Sequence, residues 1–367
     1  MVYRVLPRGG EKISVIGLGM GGMQITDQSE IQAIVTKAID NGINYFDMCA
    51  GGINVYEPFG KAIKGRRDKI YFQLHFGAVY NSNGEYGFSR DKKTIIDTFE
   101  WEMKTLGTDY VDFGFLHCVD EESDVKALKD TGIFDFVKGL KNSGVVKHLC
   151  FSSHTPKVAN LLLDTGVMDL MMFSVNPAYD LERGDEYGIG STLERAQLMR
   201  RCQKEGVGIS VMKPFHGGQL LSAETSPFKK AMTATQCISY CLDRPAVVTV
   251  LAGAVKLSEL DELLKYPSST AEERDYSIIG EFTPAAAVGN CVYCNHCQPC
   301  PVGIDIGLVN KYYDLSLSGD VMAHGHYDKL KVKADKCIKC GHCNSRCPFK
   351  VNQQDKMQKI EKYFKGV

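Results

Sequence analysis

The chain has 367 residues, 43 basic against 44 acidic side chains and 44% apolar residues. A formal charge of −1 gives no general pull toward nucleic acid or an anionic membrane, and no apolar run approaches the roughly 20 residues that span a bilayer. Glu11, Lys12, Gly17 and Gly19 spoil the first twenty residues as a signal peptide, so the expectation is a cytoplasmic chain. At about 100–200 residues per domain the length suggests two or three domains, although an α/β barrel alone uses about 250.

Tyr3 to Pro7, the Gly9-Gly10 turn and Ile13 to Ile16 read as a hairpin running into a glycine-rich strand end, Gly17 to Gly22. Short apolar runs then recur at Asn44–Asp47, Ile70–His75, Val111–His117, Val146–Ser152, Leu170–Val175, Ile209–Lys213 and Val247–Ala252. Between them lie stretches of helical period at 30–41, 57–64, 91–106, 134–143, 156–165, 192–205, 233–242 and 257–265. Eight alternating βα units over about 255 residues predict a closed (β/α)₈ TIM barrel over residues 1–267. Alternation alone also allows an open, doubly wound sheet. Residues 268–290 read as a connector with some helix, and 291–367 as a separate module: two cysteine-rich halves, a helical stretch over about 305–334 between them, and a last helix over about 353–364.

Fourteen cysteines are unevenly spread: six lie before residue 291 and eight fall between Cys291 and Cys347. The six read as ordinary buried thiols. A disulfide framework is the plain alternative for the eight, but nothing in the sequence points to secretion. Cys337, Cys340, Cys343 and Cys347-Pro348 match C-x₂-C-x₂-C-x₃-C-P, the run that holds bacterial-type [4Fe–4S] clusters. Cys291, Cys294, Cys297 and Cys300-Pro301 repeat it with one residue fewer before the last cysteine. In such runs the Cys-Pro ligand serves the other cluster. Cys291, Cys294 and Cys297 with Cys347 are therefore assigned to one cluster, and Cys337, Cys340 and Cys343 with Cys300 to the other. Structural zinc is the competing reading of paired C-x₂-C. From Asp328 to Lys365 eleven Lys or Arg face four Asp or Glu. That is a solvated helix surface, or a positive one that guides an acidic redox partner.

In a barrel of this kind chemistry gathers at the C-terminal ends of the strands. Those ends carry Asp47 and Cys49, His75, His117 and Cys118, Ser152, Ser153 and His154, Asn176, and Lys213 with the loop Pro214-Phe215-His216-Gly217-Gly218. Four strand ends offering Asp or His predict a shared site. Asp47, His75 and His117, with Cys49 or His154, would also suit a zinc or iron ion.

Asn44-Tyr-Phe-Asp47, Gly60-Lys-Ala-Ile63, Leu106-Gly-Thr-Asp-Tyr-Val-Asp112, Leu116-His117, Phe151-Ser-Ser-His154 and Pro214–Gly218 resemble the aldo/keto reductases across residues 1–265. The tail resembles the iron–sulfur branch of that family. The resemblance implies an oxidoreductase using an Asp, a Tyr, a Lys and a His around a nicotinamide cofactor. Asp47 and His117 match the Asp and the His, whereas the tyrosine falls on Gly52 and the lysine on His75. It further implies that Ser152, Ser153, Asn176, Lys213, Pro214, Gly217, Gly218 and Lys256 contact NADP(H), although Met172, Val175 and Val255 stand where the family has cofactor-holding residues. His75 or His117 could replace the missing tyrosine as proton donor. Tyr56, nine residues after Asp47, reads as a packed helix residue.

The expectation is an iron–sulfur oxidoreductase acting on a small molecule, with catalytic Asp47, His75 and His117, two [4Fe–4S] clusters, and NADP(H) or a flavin in the barrel. Two alternatives remain: a non-catalytic electron-transfer subunit on a degenerate reductase scaffold, and a metal-dependent barrel enzyme. Oxygen sensitivity of the clusters predicts an anaerobic setting.

Overall fold

The structure is a computed structural model that describes residues 1–81, 83–181, 188–281, 289, 291, 297–317, 322–347 and 350–366. In chain order the strands are β1 (Tyr3–Val5), β2 (Lys12–Ser14), β3 (Ile16–Gly19), β4 (Tyr45–Asp47), β5 (Tyr71–Phe76), β6 (Ala78–Tyr80), β7 (Tyr86–Phe88), β8 (Val111–Leu116), β9 (Val146–Ser153), β10 (Leu170–Ser174), β11 (Gly208–Met212) and β12 (Val247–Gly253). Eight of them, β3, β4, β5 and β8 to β12, pair in parallel with their neighbours. The decisive pairing is β12 with β3, Val250 opposite Ile16. It closes the ring and removes the open-sheet alternative.

The alternation seen in the sequence has a simple cause. Each strand is apolar on both faces, one side packing inward and the other against a helix. Inside the ring lie Tyr45, Phe113, Phe115, Cys150, Leu170, Met172, Val248 and Leu251. The antiparallel β1–β2 hairpin adds Leu6 and Ile13, both fully buried, to the same cluster. A Cβ at Gly208 would meet both Leu6 and Leu170, so the hairpin plugs the end where β10 and β11 begin. The outer layer follows helical spacing. In helix Lys92–Leu106 the residues Ile95, Phe99, Met103 and Leu106 are buried, the Asp91 carboxylate accepts from Thr94 N at 2.8 Å, and Gly107 ends the helix at φ 66°. A cap of this kind is worth about 1 kcal/mol.

Two elements escaped the sequence reading. After β5 the chain makes a short hairpin, β6 paired antiparallel with β7, before the next helix begins. A helix at Glu122–Asp130 also precedes the expected one at Ile133–Ser143. In the tail, the single helical stretch expected over 305–334 consists instead of Ile306–Leu317 and Ala323–Asp328, followed by a turn of 3₁₀ helix at Ala334–Lys336.

The tail shares a core with the barrel. Ala178, Tyr179, Leu220, Phe228, Met232 and Cys237 of the barrel cluster with Ile304, Ile306, Val309, Tyr312, Leu315 and Met357 of the tail. Burying each large side chain contributes about 1.5–3 kcal/mol, so the module is docked through an interior.

Candidate active site

The ends of β4, β5 and β8 bring Asp47, His75 and His117 together, all buried. Asp47 Oδ1 accepts from Cys49 N at 3.0 Å and lies 3.3 Å from His75 Nε2. The Gln73 amide nitrogen lies 2.8 Å from the same His75 nitrogen, while Gln73 Oε1 accepts from Tyr45 Oη at 2.5 Å and its Nε2 reaches Met172 Sδ at 3.5 Å. His75 Nδ1 then faces His117 Nδ1 at 3.0 Å, and Cys49 Sγ lies 3.8 Å from that same His117 nitrogen. Phe115 stacks on His75 at 4.9 Å and fixes its plane.

The fourth member is a residue that sequence reasoning missed. Tyr86, the first residue of β7, sets its hydroxyl 2.5 Å from His117 Nε2. The hairpin tip reaches across the mouth, where Gly84 O accepts from Ile53 N at 3.1 Å. At Gly52, where the family's tyrosine falls, φ is 67° and a Cβ would stand 3.2 Å from Gly84 O. The backbone of the hairpin thus fills the neighbourhood of Gly52, while its own tyrosine meets His117. A tyrosine eleven residues past His75, beyond a turn at Asn83-Gly84, was the available signal. No strand-end rule points to it.

Burial holds His117 well below the ordinary histidine range, helped by the nearby His75 and Arg90. It is a neutral imidazole at pH 7. Burial also raises Tyr86 far above a free phenol, reinforced by Cys118 and Cys49 and opposed by Arg90, so the hydroxyl keeps its proton. The Cys49 thiol is pushed up by burial and by Asp47. Arg90 donates to Cys118 O at 2.9 Å and pairs with Asp124 at 3.3 Å; its Nε and Nη1 are buried with no hydrogen-bond partner among the described residues. Tyr56 is a packed helix residue, bonded to Tyr80 and to the buried Glu102.

The other side of the mouth is differently occupied. Ser152 Oγ accepts from Cys118 N at 2.8 Å, and Ser153 Oγ donates to Asp120 at 3.2 Å. Asn176 caps the short helix Pro177–Asp180 through Tyr179 N and donates to Lys213 O. Pro214 to Gly218 form a tight turn with Lys213, His216, Gly217 and Gly218 at positive φ. A Cβ at Gly217 would meet Leu315 of the tail at 2.6 Å, and buried Lys311 reaches Tyr179 Oη at 3.3 Å. Helix Ile306–Leu317 is therefore seated on the loop that the resemblance assigns to the cofactor's pyrophosphate. Lys256 is exposed and stands at the start of helix Leu257–Leu264.

In the tail, Cys297, Cys300, Cys337, Cys340 and Cys343 line one pocket with Ile304, Ile306 and Met357. That set contains all four ligands assigned to the second cluster. Lys339 and Gly341, both at positive φ, let the backbone wrap around the pocket. Cys347 Sγ accepts from Val351 N, and Cys291 Sγ from Gln353 Nε2, two residues further on. These two ligands of the other cluster therefore meet the same short segment. Cys294 lies outside the described residues.

A model of the aldo/keto reductase family matches residues 16–236, and one of a 4Fe-4S dicluster domain matches residues 286–358. The chain is 27% identical over 270 residues to the uncharacterized oxidoreductase YqkF of Bacillus subtilis, covering 68% of this chain and 86% of that one. It is 24% identical over 241 residues to L-glyceraldehyde 3-phosphate reductase of Escherichia coli, covering 60% and 63%. Among solved structures it resembles aldo-keto reductase AKR11C1 from Bacillus halodurans in its holo form, with TM-score 0.62 and 23% identity over 78% of this chain and 97% of that one. It also resembles an aldo/keto reductase from Klebsiella pneumoniae in complex with NADP and acetate, with TM-score 0.53 and 18% identity over 74% and 93%. At such identities the structural likeness is one of fold. Among the described residues no helix is long and apolar enough to cross a membrane.

Proposed function

The chain belongs to the aldo/keto reductase family and carries a 4Fe-4S dicluster domain, and from that premise we propose that it reduces or oxidises a carbonyl-type substrate at the barrel mouth, exchanging electrons with its own cluster module in place of a nicotinamide. The observation that carries this reading is the seat of helix Ile306–Leu317. Leu315 rests against Gly217 and Lys311 against Tyr179, where a nicotinamide nucleotide would need the loop bare. The residues around that loop do not fit the nucleotide, since Ser152, Ser153 and Asn176 are engaged within the chain. The cysteine pocket does fit the clusters, which supply single electrons when bound.

The proton chemistry belongs to the first side of the mouth. His117 Nε2–H donates to the Tyr86 oxygen, which turns the phenol proton toward the cavity. Tyr86 then serves as the acid that protonates a substrate oxygen, or as the base that takes the proton back in the oxidative direction; the two electrons arrive singly, one from each cluster, and the second proton, for the carbon, comes from water. His75, tied to Asp47, holds His117 from behind. Arg90 keeps two N–H groups for a polar or anionic part of the substrate.

The test is anaerobic. Clusters reduced chemically are mixed with a panel of aldehydes and ketones, and their reoxidation is followed optically. The reading expects reoxidation matched by alcohol formation without NADPH. Oxidation of NADPH by substrate while the clusters stay unchanged would overturn it.

A further inference from the structure

The two imidazoles at the mouth meet in an unusual way. Each ring presents Nδ1 to the other at 3.0 Å, and each Nε2 is held from outside, by Gln73 at 2.8 Å and Asp47 at 3.3 Å for His75 and by Tyr86 for His117. The Gln73 amide N–H meets His75 Nε2 at 2.8 Å, with Asp47 at 3.3 Å. On the reading above His117 Nε2–H serves Tyr86, so its Nδ1 carries a lone pair. The two near nitrogens are therefore joined either by a proton on His75 Nδ1 or by an ion in that proton's place.

Cys49 supplies the third donor. Its Sγ is 3.8 Å from His117 Nδ1, and the donor atoms of Cys49, His75 and His117 all lie within 4.8 Å of one another. Around a tetrahedral zinc ion, with bonds of about 2.0–2.1 Å to nitrogen and 2.3 Å to sulfur, nitrogen–nitrogen and sulfur–nitrogen edges are roughly 3.3 and 3.6 Å. The observed 3.0 and 3.8 Å are of that size. The outer contacts also match what ligating histidines need. A carboxylate or hydroxyl on the far ring nitrogen sets the tautomer and aims the near one at the ion.

We infer that Cys49, His75 and His117 form a mononuclear site for zinc or ferrous iron at the mouth of the barrel, with its fourth position left for a ligand from outside the chain. Asp47 is then an orienting partner of His75 and not a ligand. The ion would bind and polarise a polar substrate group on the Nδ1 side of His117, across the ring from Tyr86. Cys118, Asp120 and His154 form a second close group, but both Asp120 oxygens already accept from the backbone N and Nδ1 of His154, so the first group is the stronger site.

The inference takes the mouth as the reaction site, as proposed above, yet its test needs no turnover. Protein purified anaerobically with its clusters is analysed for iron, sulfide and zinc, then again after exposure to excess Zn²⁺ or Fe²⁺ and gel filtration. Two [4Fe–4S] clusters hold equal iron and sulfide. The expected result is about one further ion per chain, read as zinc or as iron in excess of sulfide, lost in Cys49→Ala and in His117→Phe. Sulfide content and the cluster absorption should not change in either variant. Co²⁺ should also give a thiolate-to-cobalt absorption in the parent that Cys49→Ser lacks. Iron equal to sulfide with no bound zinc or cobalt, before and after loading, would overturn the site and leave a plain ring-to-ring hydrogen bond. If the ion is present and reduced clusters ignore every carbonyl, the site stands and only the proposed reaction falls.

Discussion

The two sides of one barrel mouth have gone separate ways. On the side of β4, β5 and β8, the strand ends present Asp47, His75 and His117 to one another and to Tyr86, in contacts of 2.5–3.3 Å. On the side of β9 to β12, the equivalent positions are absorbed in holding loops, and a helix of the chain's own tail lies over them. On the first side Tyr86 lines a pocket whose opposite wall is Met322, His324 and Lys329 of the tail. The second is an intramolecular interface. On the proposed reading the fold retains its reaction centre while changing the source of its electrons, because the two surfaces rest on different strands.

The comparison can be broken most sharply at Tyr86. Tyr86→Phe keeps the ring and removes the acid, so kcat should fall about 10²–10⁴-fold with little change in KM. Steady-state rates with chemically reduced clusters measure it, and an unchanged kcat would move the proton donor elsewhere. On the opposite side the expected losses are in stability. Asp180 is buried, bonded to Arg195 and to Tyr240 Oη, and Arg195 is fully buried. Asp180→Ala strands that guanidinium and should cost about 3–5 kcal/mol in chemical unfolding. Leu315→Ala should cost about 2–5 kcal/mol and loosen the tail from Gly217. If it also creates nucleotide binding visible by NADPH fluorescence, the covering role of the helix is sharpened.

The smallest effect is a slope. Burial pushes Glu102 up to about 8, against its bond from Tyr56. The folded state therefore holds a proton that the unfolded chain releases near its ordinary value of 4.5. Stability from this group is full below that value and falls as pH rises toward about 8, by about 1.4 kcal/mol per pH unit. Glu102→Gln should flatten the pH dependence of unfolding in that window. An unaltered slope would mean that Glu102 is ionised in the fold.

Much of this protein was legible from its residues in order. Eight apolar runs spaced by helical stretches specified a βα repeat, since strand and helix periods are local properties. Strand ends then located Asp47, His75 and His117. The cysteine spacing specified cluster loops for a similar reason: the reach between ligands is a matter of two or three residues. What was illegible depended on contacts between distant segments. Closure of the barrel required β12 to find β3. The tyrosine at His117 arrived on a hairpin whose direction no periodicity encodes. The tail's place over Gly217 was decided by the fit of Leu315, Tyr312 and Val309 against Leu220 and Phe228, side chains about a hundred residues apart in sequence. Local order determines which elements form and which chemistry they carry. Only tertiary packing, which selects among many apolar faces the pair that excludes water best, decided where the tail settled on the mouth.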